Sequence, residues 1–219
     1  MVSLKTIARF CSMLLLLALI LTPAGSVHAM PGNTTRVSVA SDGTQSNNSS
    51  YNPSISANGR YVAFESEATN LVRGDTNNFR DIFVHDRQTG QTTRVSVASD
   101  GTQANGHSYN PSISADGRYV AFASLANNLV SGDTNDQQDI FVHDRQTGQT
   151  TRVSVASDGT QASGHSFNPS ISADGRYVAF VSSASNLVGG DTEPPILPST
   201  TSLPNNPASS YLVLMQESR

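Results

Sequence analysis

Apolar and polar residues alternate along this chain in short runs, and the runs return at a fixed interval. Val62 and Phe64 fall on one side of the stretch from Tyr61 to Phe64. Ile82 and Val84 share a side of Asp81 to His85, and Val37 and Val39 share a side of Arg36 to Ala40. A period of two marks a half-buried strand, because successive side chains of an extended backbone point to opposite faces. Pro53 to Ser56 reads as a fourth, brief strand. Turn residues separate the runs: Asn58-Gly59 and Asp116-Gly117 tolerate positive φ in a tight hairpin, and Gly90 serves the turn after His85. Nothing in the repeated region carries a helical period.

The interval is 58 residues, the spacing of Tyr61, Tyr119 and Tyr177. Asn110-Pro111-Ser112-Ile113-Ser114-Ala115-Asp116-Gly117-Arg118-Tyr119-Val120-Ala121-Phe122 has one copy from Asn52 and another from Asn168. The phrase that starts Thr35-Arg36-Val37-Ser38 returns at Thr93 and Thr151, and Asp81-Ile82-Phe83-Val84-His85-Asp86 returns at Asp139. Four short antiparallel strands per period, repeated radially, predict an all-β fold, a β-propeller of four-stranded blades. The predicted layout is a repeat region over 30–192, with an orphan strand at 34–40, blades at 51–99 and 109–157 and a partial blade at 167–192. Residues 193–219 form a Pro, Ser and Thr-rich irregular tail, although Tyr211 to Met215 also reads as a strand.

The wording Ser-Ala-Asp-Gly-Arg-Tyr-Val-Ala-Phe, followed by Asp-Ile-Phe-Val-His-Asp, resembles the TolB-type, WD-repeat-like propeller repeat of bacterial envelopes over roughly residues 34–191. Ala115 and Ala173 stand where that family prefers Pro, and His85 and His143 where it often has Met. The resemblance implies the fold and a protein partner in the periplasm.

About two and a half blades are present, whereas propellers have 4 to 8. An incomplete or truncated propeller is therefore expected, and three accounts stay open. The chain is a piece of a longer propeller, or it associates with copies of itself to complete a ring, or Tyr211 to Gln216 completes the third blade. Read one base earlier, Pro195 to Thr201 permits Asp-x-x-Val-His-Asp, so the tail also reads as an out-of-frame remnant.

Lys5 and Arg9, an apolar run from Phe10 to Leu21 and Val27-His28-Ala29 predict a signal peptide over 1–29, cleaved after Ala29, and a secreted or periplasmic protein. That run is short for a membrane span, and none is predicted in the mature chain. Cys11, the single cysteine, lies within it, which leaves no thiol chemistry for the mature chain. A net charge of −4 without basic clusters argues against nucleic acid as a partner.

Asp75, Asn77 and Asp81, repeated as Asp133, Asn135 and Asp139, offer oxygen at alternating loop positions, a spacing that fits Ca²⁺. The same residues fit a polar loop that bonds its own backbone. No other cofactor is indicated. His107 and His165 lie in loops that face one end of the blades and are candidates for ligand binding. His85-Asp86 and His143-Asp144 are adjacent on a strand and point apart, so neither pair is a catalytic dyad. No nucleophile elbow, phosphate loop or unique acid–base pair is present, and no catalytic residue is assigned. These observations favour an exported, non-catalytic binding scaffold for a protein or glycan of the envelope or extracellular space. The alternatives are the propeller domain of a secreted hydrolase, lyase or peptidase, and a truncated gene fragment without function.

Overall fold

The computed structural model describes residues 32–190 and 212–217. The predicted signal peptide with Cys11, Asp191 and the remainder of the tail, including the out-of-frame reading of Pro195 to Thr201, lie outside the described residues. Two units are distinguished, Met1–Thr35 and Arg36–Arg219. Residues 32–35 of the first contain no strand. The second is all-β, and among the described residues it has no helix.

Blade 1 consists of β1 (Ser50–Ile55), β2 (Tyr61–Ser66), β3 (Asp81–Asp86) and β4 (Thr92–Arg94) in spatial order β1-β2-β3-β4. Blade 2 repeats it as β5 (Ser108–Ile113), β6 (Tyr119–Ser124), β7 (Asp139–Asp144) and β8 (Thr150–Arg152). Blade 3 contains β9 (Ser166–Ile171), β10 (Tyr177–Ser182) and β11 (Leu212–Glu217). Among the described residues every strand pairing is antiparallel, so the second unit is a row of propeller blades.

The hairpin between the first two strands of each blade needs one residue at positive φ, not two. Gly59 has φ 70° while Asn58 stays in the ordinary region. The Asn58 carboxamide oxygen instead accepts the Arg60 N–H at 3.0 Å, and Asp116 does the same for Arg118 at 2.9 Å. The asparagines at positive φ within the first strands of the blades are Asn52, Asn110 and Asn168, with φ of 48°, 51° and 49°. In β1 and β5 each lies at a bulge beside a proline, which tolerates the missing ladder donor of Pro53 and Pro111.

The fourth strand is shorter than predicted and begins earlier. Val95 N–H makes one further bond to Ile82 O, and the Ser96 hydroxyl then donates to Asp81 and accepts from Ile82 N–H. Side-chain bonds thus replace the ladder, and the chain leaves the sheet. Within the predicted orphan strand, Val39 pairs only through an isolated bridge to Gln45.

In the tail, β11 occupies the third-strand place. Glu217 lies opposite Tyr177, as Asp86 lies opposite Tyr61 and Asp144 opposite Tyr119. Arg176 binds Glu217 at 3.1 Å, where Arg118 binds Asp144 at 2.6 Å. Leu214, opposite Phe180, packs on the core between blades 2 and 3.

The core lies between blades. Ala63, Ile82, Val84 and Val95 of blade 1 pack on Ile113, Val120, Phe122 and Phe141 of blade 2. Tyr119, Ala121, Ile140 and Val142 of blade 2 pack on Val178 and Phe180 of blade 3. Alternating faces of one sheet therefore serve its two neighbours. At each joint a tyrosine enters a glycine slot: a Cβ on Gly117 would overlap the Tyr61 ring, and one on Gly175 the Tyr119 ring. Arg145 completes the first joint by stacking 4.5 Å from the Tyr61 centroid.

Candidate functional site

The residues with calcium-like spacing do converge, and they do so around an arginine. The β3–β4 hairpin carries Arg94 to 3.1 Å from Asp75 and 3.2 Å from Asp81. Asn77 donates to Asp81 at 2.9 Å, and Ser96 donates to its other oxygen at 2.6 Å. Arg152 repeats the arrangement with Asp133 at 2.9 Å and Asp139 at 3.3 Å, and Asn135 donates to Asp139. Burial and the neighbouring Asp81 carboxylate push Asp75 up from the usual carboxylate range, against the pull of Arg94. Burial likewise raises Asp81, opposed first by the Ser96 hydroxyl. Among the described residues no group of three His, Cys, Asp or Glu side chains stands close enough to hold a metal. Each guanidinium ties the loop before the third strand to the β3–β4 or β7–β8 hairpin.

His107 and His165 serve the backbone. His107 Nδ1 accepts the Arg80 N–H at 2.9 Å and His165 Nδ1 accepts that of Gln138 at 2.8 Å. Each thereby stitches a blade linker to the start of a third strand, and the two are in different linkers. His85 and His143 lie buried against Thr92 and Thr150, each at 2.9 Å. Thr150 Oγ1 donates its own proton to Val97 O, so His143 Nδ1 must be the donor to it. Burial, with Arg145 nearby, pushes His143 down to about 4. Asp86 and Asp144 hold two-bond pairs with Arg60 and Arg118, which keep both carboxyls well below their ordinary range.

Superposing the repeats in sequence exposes a cluster that the shared residues conceal. Glu65, Glu67 and Arg80 of blade 1 correspond to Ala123, Leu125 and Gln138 of blade 2. In blade 3, Val181 and Ser183 match the two glutamates. Arg80 spans Glu65 at 2.9 Å and Glu67 at 2.5 Å. The second oxygen of Glu65 accepts the Asn110 N–H at 2.6 Å, across the blade boundary. The guanidinium lies 4.8 Å from the Tyr51 centroid and 5.4 Å from that of Tyr109. Beside it, the His107 ring meets Phe79 edge-on at 5.1 Å and Tyr109 at 6.0 Å. Glu65 is buried, Arg80 and Tyr109 are half-buried, and Tyr51 is 42% exposed. The result is an aromatic platform around a charged centre, open to solvent on the Tyr51 side. His107 is the single member anticipated from sequence.

No family model matches the chain, and no curated protein matches it. Solved structures with a related fold include a putative TolB from Agrobacterium tumefaciens, 22% identical, covering 61% of this chain and 38% of that one at a TM-score of 0.42. TolB from Acinetobacter baumannii is 17% identical over 78% of this chain and 41% of its own, at 0.34. The β-propeller domain of the Trilobed protease from Pyrococcus furiosus is 15% identical over 61% and 34%, at 0.39. This chain thus spans less than half the length of each. Likeness at this level transfers no function, and the propeller assignment rests on the blades themselves.

Proposed function

We propose that this protein is an exported, non-catalytic binding scaffold that holds a protein or glycan ligand on the blade end formed by Tyr51, Glu65, Glu67, Arg80 and Tyr109. The observation that carries the reading is that charge and aromatic surface appear together at the place where blade 1 departs from its own repeat. Blade 2 builds the equivalent stretch with Ala123 and Gln138, so the fold has no need of the charges. Both oxygens of Glu65 are engaged, which leaves it poorly suited to shuttling protons. An exposed tyrosine beside a fixed arginine is suited to stacking on a sugar ring or a partner's side chain. Export is supported by the N-terminal stretch from Lys5 to Ala29.

A second reading is favoured by one fact: Glu65 and Glu67 are a carboxylate pair found in one blade only, as an acid–base pair of a hydrolase or lyase would be. One experiment separates the two. The chain and its Glu65→Ala/Arg80→Gln variant, which carries blade 2 residues, are tested against an array of soluble oligosaccharides and envelope-derived peptides. Binding that falls at least tenfold in the variant, with the probe recovered intact, supports the scaffold. Cleavage of a bound probe supports the enzyme. Binding by neither protein removes the scaffold reading from this surface.

A further inference from the structure

Each blade boundary within the chain is made by one set of contacts, used twice and always in the same direction. The tyrosine of the earlier blade enters the glycine slot of the later one, Tyr61 into Gly117 and Tyr119 into Gly175. The innermost strands are linked by an asparagine ladder, Asn52 to Asn110 at 2.8 Å and Asn110 to Asn168 at 2.9 Å. The turns are linked by Ala57 N–H to Ala115 O and Ala115 N–H to Ala173 O, both at 3.0 Å. A serine of the earlier blade accepts the isoleucine N–H of the later, Ser54 from Ile113 at 3.2 Å and Ser112 from Ile171 at 3.0 Å.

Because the contacts have a direction, the row has two different ends, and they are the two halves of this same joint. Blade 1 offers Gly59, where among the described residues a Cβ would meet only Arg87 and Ile55, at 3.6 and 3.9 Å. Ile55 is 60% exposed, whereas its counterpart Ile113 is 7% exposed within a joint. Arg87 is already bonded to Gly59 O at 2.7 Å, as Arg145 is to Gly117 O beside Tyr61. Blade 3 offers Tyr177, Ala179 and Val181, half-buried where the corresponding Tyr119, Ala121 and Ala123 are buried. Met215, opposite Ala179 and so on the same face, is 72% exposed. The ladder ends match as well: Asn168 has its amide N–H to give and Asn52 its oxygen to receive.

We propose that two copies of this chain join head to tail, blade 3 of each against blade 1 of the other, and close a six-bladed ring. Tyr177 of one copy enters the Gly59 slot of its partner and stacks under the partner's Arg87, reproducing the Tyr61–Gly117–Arg145 joint. Two sets of the three described blades make six, inside the range of 4 to 8. Two-fold symmetry about the ring axis makes both new joints identical.

The test is the solution mass of the purified full chain, with Ile55→Glu and Met215→Glu variants. Both positions are exposed in the single chain, so the folded blade tolerates either charge, and circular dichroism confirms it. The wild type is expected as a two-chain particle, and each variant as a monomer, its dissociation constant raised ~30-fold or more. Mixing the two variants then restores pairing, more weakly than in the wild type, because a mixed pair keeps one unaltered joint while the other carries both glutamates. Tyr177→Ala is expected to behave like Met215→Glu. A monomeric wild type overturns the proposal, and so does a dimer that both glutamates leave intact. Variants that stay apart on mixing also overturn it, since only a head-to-tail joint is complemented in this way.

Discussion

The two joints inside the chain share a backbone and differ in chemistry. At the first, Arg80 and Glu65 form a largely buried ion pair that reaches across to Asn110. At the second, Ala123 fills the place of Glu65, and Gln138 covers that of Arg80 by donating to Ser166 O at 3.1 Å. The histidine clamp and the tyrosine in its glycine slot persist through the exchange. The joint is therefore built from neutral packing and polar ladders, and the ion pair is an addition to it. A buried pair adds little over a well-packed neutral equivalent, whereas a broken one leaves a charge stranded.

That contrast can be broken most sharply at Arg80. Replacing it with Ala strands Glu65 and is expected to destabilise the chain by ~4 kcal/mol in urea unfolding. Glu65→Ala/Arg80→Gln should stay within ~1 kcal/mol of wild type. A double variant as unstable as the single one would mean that the first joint depends on its charges.

The shared part of the joints is tested next. Gly117→Ala and Gly175→Ala are expected to cost about equally, ~3 kcal/mol, because each drives a methyl into a tyrosine ring at φ near 77° and 72°. Gly132→Ala, at φ 73° with open space around it, should cost ~1 kcal/mol. Unequal losses at Gly117 and Gly175 would show that the two joints are not equivalent.

A smaller effect comes from pH. His143 is held neutral by burial, at about 4 when folded against 6.5 in the open chain. Between those values the unfolded chain binds the extra proton, so stability rises with pH through this window and falls as acid is added. The full loss approaches ~2 kcal/mol after allowance for residual exposure. His143→Gln should flatten the slope relative to wild type in thermal unfolding followed at successive pH values. The smallest effect expected is from calcium. Arg94 and Arg152 already sit between the carboxylates, so Ca²⁺ should leave the melting temperature unchanged, and a rise would mean that the ion displaces a guanidinium.

The blade architecture was legible because strand alternation and turn residues are local properties repeated at one period. The extent of the fourth strand was not, since Ser96 ends it through a bond to Asp81, a residue brought close only by the hairpin. The same hairpin carries Arg94 to Asp75 and Asp81, and a loop that reads as an oxygen cage in sequence becomes an ion-pair brace in space. The Arg80 cluster is not legible in the repeat for a different reason. Repetition displays what the copies share, while Glu65, Glu67 and Arg80 are what one copy has alone.

The directional joint has a consequence for the gene. Each blade carries a tyrosine for the next and a glycine for the one before, within near-identical stretches 58 residues apart. Misaligned recombination between such stretches adds or deletes one whole repeat, and every new neighbour still meets the tyrosine or glycine it requires. Blade number can therefore change by whole steps while each joint between blades keeps its tyrosine and its glycine.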